Sequence, residues 1–173
     1  MSKTTEFEAG RTCSPKPRGG GRDREGELPE SVMATGSVLT DPEIATLGDF
    51  DSATAILRWA DGRQVSISNS RRAVYGYDQR IEVHGSDGMV AAQNEHPINI
   101  EVATSTGYER PPLHDFFMTR YVAAYANEID AFIASMTQSV SSVPTGEDGL
   151  NALLIADAAL DSARTGKSIT IVS

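Results

Sequence analysis

The chain has 173 residues, a net charge of -9 and a composition near that of ordinary soluble globular proteins, so its length suits one domain. The acidity argues against nucleic acid or an anionic membrane as partner, since either would call for a basic footprint. No apolar run approaches the roughly 20 residues that span a bilayer, "MSKTTEFEAG" lacks the apolar core of a secretory signal, and the lone Cys13 cannot form an internal disulfide, so a reducing cytoplasm is the expected location.

Residues 1–29 read as a disordered or poorly ordered tail, because "SPKPRGGGRDREGELPE" is rich in proline, glycine and charge and offers little apolar surface to offset ordering entropy. "GGGRDREG" within it is not a dinucleotide fingerprint: its third glycine is misplaced and no apolar strand precedes it. Residues 30–173 form the expected folded domain. "SVMATGSVL" predicts a strand, "DPEIATLGDFD" a loop with Asp-Pro and Gly-Asp turn signals, and "SATAILRWA", "DGR" and "QVSISNS" a hairpin around Asp61-Gly62.

In the second arm of that hairpin Val65 and Ile67 share one face, while Gln64, Ser66, Ser68 and Ser70 share the other. One face is therefore expected to pack, and the other to meet solvent or something outside the chain. "DQRIEVHG" continues as a strand with Ile81 and Val83 on one side, "SDG" turns it into "MVAAQ", and "NIEVATS" with "YERP" make a further short pair around Thr106-Gly107.

After Pro111 and Pro112 the period changes. Phe117, Tyr121, Tyr125, Ile129, Phe132 and Met136 recur at helical spacing. A second helix is predicted from about Gly146 to Arg164, with Thr145 and Asp148 resembling a capping box and Gly166 as its stop. "SITIV" closes the chain as a strand. Strands first and helices after define an α+β fold: a mainly antiparallel open sheet with helices packed on one face.

The histidines His84, His96 and His114 show no metal-ligand spacing and have no partner thiols. The stretch that invites chemistry is "SRRAVYGYDQR", where strand parity would put Tyr75 and Tyr77 on one side, with Gly76 between them and Asp78 at the edge. Two readings stand side by side. The phenols are core aromatics of a sheet, with Gly76 a bulge or bend. Alternatively they line a cleft for a polyhydroxylated ligand, each ring a wall and each hydroxyl both donor and acceptor. In that case Gly76 admits a close backbone or ligand and Asp78 accepts hydroxyl protons, caps a turn or pairs with Arg72 or Arg80.

From about Val32 to Val172 the chain resembles the C-terminal domain of the Gfo/Idh/MocA oxidoreductases, and within them most closely the bacterial inositol 2-dehydrogenases. The resemblance is carried by "ATGSVLTDPEIATLGDFDSATAILRWADGR", "NSRRAVYGYDQRIEVHGSDGMV", "FFMTRYVAAYANEIDAFI" and "VPTGEDGLNALLIADAALDSARTGKSI". It implies a sheet that shapes the substrate pocket beside an NAD- or NADP-binding Rossmann domain, with subunits meeting through the open sheet face. It also implies that Tyr75 and Tyr77, with Asp78 beside them, contact myo-inositol or a related polyol.

The rest of that family's machinery is not found in this sequence. There is no strand–Gly-rich loop–helix unit for a pyrophosphate, "PKP" at 15–17 echoes the family's catalytic Glu-Lys-Pro motif only superficially, and no Asp-x-x-x-His pair precedes "ELPESVMATG". The expectation is a truncated inositol 2-dehydrogenase-like chain that binds no cofactor by itself and does not turn over alone. Polyol binding should be weak, and the chain's partners are other copies of itself or a separate Rossmann-domain chain. The alternatives are one half of a split NAD-dependent dehydrogenase and a non-catalytic oligomerisation partner.

Overall fold

A computed structural model describes residues 8–13, 27–138 and 143–172. They form two compact units: residues 8–13, 27–72, 79–93 and 147–172 belong to one, residues 73–78, 94–138 and 143–146 to the other.

The first unit is built on a seven-stranded sheet. Its strands are β1 (Glu8–Cys13), β2 (Ser31–Ser37), β3 (Ser52–Arg58), β4 (Gln64–Ser70), β5 (Ile81–Gly85), β6 (Gly88–Ala92) and β9 (Ile169–Thr170), in the spatial order β6-β5-β1-β4-β3-β2-β9. Two helices accompany them, α1 (Pro42–Thr46) and α4 (Gly146–Thr165). Every described pairing is antiparallel except β1 with β5. The fold class is the α+β arrangement expected from the order of elements.

The register explains which face is packed. Val32, Leu57 and Val65 lie opposite one another across β2, β3 and β4, as do Ala34, Ala55 and Ile67. Val32, Ala34 and Leu57 are the buried apolar residues of the described core. The other face carries Ser37, Ser52 and Ser70 in one cross-strand row and Thr35, Thr54 and Ser68 in the next. Period-two alternation thus produces a packed side and an open side, the latter mainly of hydroxyls but also carrying exposed Met33 and Ile56.

Helix α4 is tied to β2 through the fully buried Ser162. Its hydroxyl accepts from Ala34 N–H at 2.8 Å and donates to Lys167 O at 2.6 Å, so a buried polar atom is satisfied on both sides. The helix ends where expected: Gly166 takes φ 68°, and its N–H bonds to Ser162 O at 2.8 Å.

Three expectations need correction here. The 41–51 stretch, read as a loop, contains α1: Asp41 is not only a turn residue but the N-cap, accepting from Glu43 N–H at 3.1 Å with Pro42 opening the helix. Residues 74–80, read as strand, are not strand; the ladder resumes only at Ile81. Glu8–Cys13, placed within the poorly ordered tail, forms β1, which draws its backbone bonds from two neighbours, a source that composition does not reveal. The rest of that tail lies outside the described residues, apart from Glu27–Pro29.

The second unit contains the loop Ala73–Asp78, the hairpin β7 (Val102–Thr104) and β8 (Gly107–Glu109), and helices α2 (Phe117–Arg120) and α3 (Val122–Gln138). The predicted hairpin is present, but its turn is Ser105-Thr106, one residue earlier than the expected Thr106-Gly107, because Gly107 already pairs with Thr104 as the first residue of β8. The single helix expected from Phe117 to Met136 is divided at Tyr121, whose backbone leaves helical geometry (φ -108°, ψ 16°). Its apolar stripe is largely open: Ile129, Phe132 and Met136 are each more than half exposed.

Candidate functional site

The Tyr-Gly-Tyr-Asp stretch is a tight loop rather than a strand, and its shape follows from Gly76. That residue takes φ 124°, a region that side chains disfavour, and a Cβ there would lie 2.7 Å from Leu113 Cβ and 2.9 Å from His114 O. The missing side chain lets a second stretch of backbone pass close by, one of the roles expected of this glycine. Tyr77 N–H then donates to His114 O at 2.6 Å and fastens the two segments together.

The loop separates the two tyrosines. Tyr75 is about half exposed, at 54 %, whereas Tyr77 is half-buried and meets the ring of Tyr121 edge-on at 5.6 Å. Tyr121 in turn meets Tyr125 edge-on at 6.4 Å, so three phenol rings form a chain of T-shaped contacts. The shared side expected from strand parity does not hold, because a positive-φ residue between the two rings breaks the alternation.

Asp78, expected at the rim, is buried at 3 % exposure. The Tyr75 hydroxyl donates to one of its oxygens, and Asn94 Nδ2 donates to the other at 2.5 Å. The carboxylate therefore sits among donors of its own chain, and its geometric effect is to orient the Tyr75 hydroxyl. With its proton directed at Asp78, that oxygen acts toward other groups as a hydrogen-bond acceptor. Nothing in the sequence tied Asn94 or Tyr121 to this stretch, since both contacts depend on a chain return far along the sequence.

Nearby, His96 Nδ1 lies 2.8 Å from Pro111 O, and Arg120 donates to Glu95 at 2.5 Å while its guanidinium lies 5.6 Å from the Tyr121 ring centre. The histidines make no metal cluster: among the described residues no group of three or more His, Cys, Asp or Glu side chains could hold a metal ion. No described helix is long and apolar enough to cross a membrane.

A nicotinamide dinucleotide does not fit the described residues. Its pyrophosphate needs a strand leading through a glycine-rich loop into a helix N-terminus, and α1, α2, α3 and α4 are none of them entered in that way.

Comparison with known proteins agrees with this geometry. Residues 26–171 match the family model for the C-terminal alpha/beta domain of the Gfo/Idh/MocA oxidoreductases, and the chain belongs to that family. It is 59 % identical over 146 residues to the inositol 2-dehydrogenase of Rhizobium meliloti, and 41 % identical over 146 residues to the myo-inositol 2-dehydrogenase of Thermotoga maritima. Each match takes in 84 % of this chain and 44 % of the relative, so the chain spans less than half the length of these relatives. A crystal structure from Sinorhizobium meliloti 1021, of a protein assigned as a myo-inositol dehydrogenase, superposes with a TM-score of 0.81 at 48 % identity. It covers 95 % of this chain and 57 % of that one. The described fold is thus an inositol 2-dehydrogenase-like C-terminal domain.

Proposed function

We propose that this chain is the substrate-binding and oligomerisation part of an inositol 2-dehydrogenase-like enzyme, with the cofactor and the catalytic residues supplied by a Rossmann domain that these residues do not contain. The observation that carries the reading is the Tyr75–Asp78 loop. One phenol is exposed and oriented by a buried carboxylate, and a second is fixed edge-on against Tyr121. Tyr75 and Tyr77 contact a polyol, the first through its hydroxyl oxygen and the second through its ring, while Asp78 takes part by holding Tyr75. The names of the similar proteins, an inositol 2-dehydrogenase and a myo-inositol 2-dehydrogenase, support a cyclitol as the polyol, and that of a further relative from Bacillus subtilis, scyllo-inositol 2-dehydrogenase (NAD(+)), supports NAD as the hydride acceptor of the complete enzyme.

Magnitudes limit what this part does alone. The hydrogen bond at Tyr75 contributes about 0.5–1.5 kcal/mol, whereas millimolar binding requires roughly 4 kcal/mol. The chain by itself binds inositol weakly and, with no acceptor site among the described residues, does not turn it over. A cytoplasmic location goes with this reading.

The test is NADH formation by the purified chain with myo-inositol and NAD in excess, before and after a Rossmann-domain chain is added. The expected result is silence alone and turnover with the partner, lost when Tyr75→Phe and Tyr77→Phe are combined. Sustained turnover by the chain alone, proportional to protein, would sink the proposal.

A second reading, a non-catalytic oligomerisation partner, is favoured by the hydroxyl face of the sheet. Thr35, Ser37, Ser52, Thr54, Ser68 and Ser70 surround a shallow depression of about 340 Å³ there. Association that depends on concentration and not on added nucleotide would support it.

A further inference from the structure

Tyr75 and Asp78 differ in what they offer a ligand. Tyr75 is 54 % exposed and Asp78 only 3 %, so a solute arriving from water meets the phenol rather than the carboxylate. The hydrogen bond between them has a direction fixed by chemistry: an ionised carboxylate has no hydrogen to give, so the phenol donates and Asp78 Oδ2 accepts. The other oxygen, Oδ1, accepts from Asn94 Nδ2 at 2.5 Å, so both oxygens of the group are engaged by their own chain. All three residues lie in the second unit.

The Tyr75 proton is therefore costly to redirect. Turning the hydroxyl toward a ligand takes a donor away from a carboxylate shielded from water, and a buried acceptor that loses a donor is penalised more than an exposed one. A phenol carries a single hydrogen to donate. With that hydrogen committed to Asp78, Tyr75 meets a ligand as an acceptor only.

Resting on the polyol reading above, we infer that Asp78 is a positioning residue that sets the specificity of this site. Through Tyr75 it demands a ligand group that brings its own hydrogen, which is an unsubstituted hydroxyl. A methyl ether or a phosphate ester at the same position offers only lone pairs to an oxygen that is itself an acceptor, and is refused. A phosphate also adds negative charge near a carboxylate. The site thus selects a free cyclitol over its O-alkylated or phosphorylated forms at the position that faces Tyr75. Asp78 does this without touching the ligand, because its burial keeps it from accepting ligand hydroxyl protons directly.

The probes are myo-inositol and its monomethyl ethers, titrated into the purified chain. Binding is followed by NMR through the ring signals of isotope-labelled Tyr75 and Tyr77, a readout suited to weak affinity. Methylation at the position facing Tyr75 is expected to weaken binding to the parent chain roughly three- to tenfold. Asp78→Asn presents an amide that can donate to the Tyr75 oxygen and release its proton toward the ligand. The penalty on that one ether should then fall below about twofold, while those on the other ethers stay as they were. Tyr75→Phe keeps the ring and loses the oxygen, so it should remove the same penalty, read at Tyr77. It also carries the test if Asp78→Asn does not fold.

A penalty that persists in folded Asp78→Asn takes the role away from Asp78, and one that persists in Tyr75→Phe comes from the bulk of the methyl group. Either result overturns the assignment. So does a parent chain that binds every ether as tightly as myo-inositol, even though it binds the polyol. No shift at Tyr75 or Tyr77 with myo-inositol is a different failure: it overturns the polyol reading, and the specificity assigned to Asp78 goes with it.

Discussion

Gly76 and Asp51 show how single residues decide local shape. At Gly76 an added Cβ meets the Leu113 side chain and the His114 carbonyl while the backbone sits at positive φ, so both space and torsion oppose substitution. Gly76→Ala should destabilise the second unit by about 1–3 kcal/mol. A urea titration followed by near-UV circular dichroism, which reports the Tyr77–Tyr121 packing, would check it. Asp51 is buried at 2 % exposure and gathers N–H bonds from Leu39, Thr40 and Asp41 and hydroxyls from Thr40 and Ser52. Burial alone pushes its carboxyl up, but the Leu39 and Thr40 amides and the two hydroxyls outweigh it and hold the group well below the usual carboxylate range. A depressed native value means that its stabilisation is complete above the unfolded value of about 3.9 and is lost as pH falls from there toward the native value. Asp51→Asn should therefore melt lower than the parent at pH 7 and lose less than the parent on going to pH 3. Equal acid sensitivity in both proteins would contradict that assignment.

Elements formed where local pattern and tertiary pairing agree. The hairpin at Asp61-Gly62, the β5–β6 turn at Ser86-Asp87 and the stop at Gly166 were all legible, because each depends on residues a few positions apart. The short helix α1 was not, since Asp-Pro signals a turn and an N-cap with equal force. Its five residues include none that is buried, so capping carries much of its stability. Asp41→Ala should cost about 0.5–2 kcal/mol of that helix and fray it, visible as faster exchange of the Leu47 and Gly48 amides, which bond back to Ile44 O and Ala45 O. The break at Tyr121 is also invisible to periodicity, because the apolar spacing runs straight through it; in the structure that ring sits between Tyr77 and Tyr125.

For the whole molecule, the sheet presents a packed face with Val32, Ala34 and Leu57 and an open face of hydroxyls. If subunits meet through that open face, Thr54→Arg, at an exposed position between Thr35 and Ser68, should shift sedimentation toward monomer without lowering the melting temperature. Unchanged association would move the interface elsewhere. The sequence by itself determined the α+β class, the order of most strands and helices and the two-faced sheet, and it singled out the Tyr-Gly-Tyr-Asp stretch as a candidate. All of these rest on period, turn chemistry and short spacing. Tertiary structure alone decided that this stretch is a loop folded onto Leu113 and His114, that Asp78 is buried between Tyr75 and Asn94, and that Glu8–Cys13 joins the sheet. Those outcomes depend on backbone groups and side chains far apart in the chain, whose meeting no local pattern encodes.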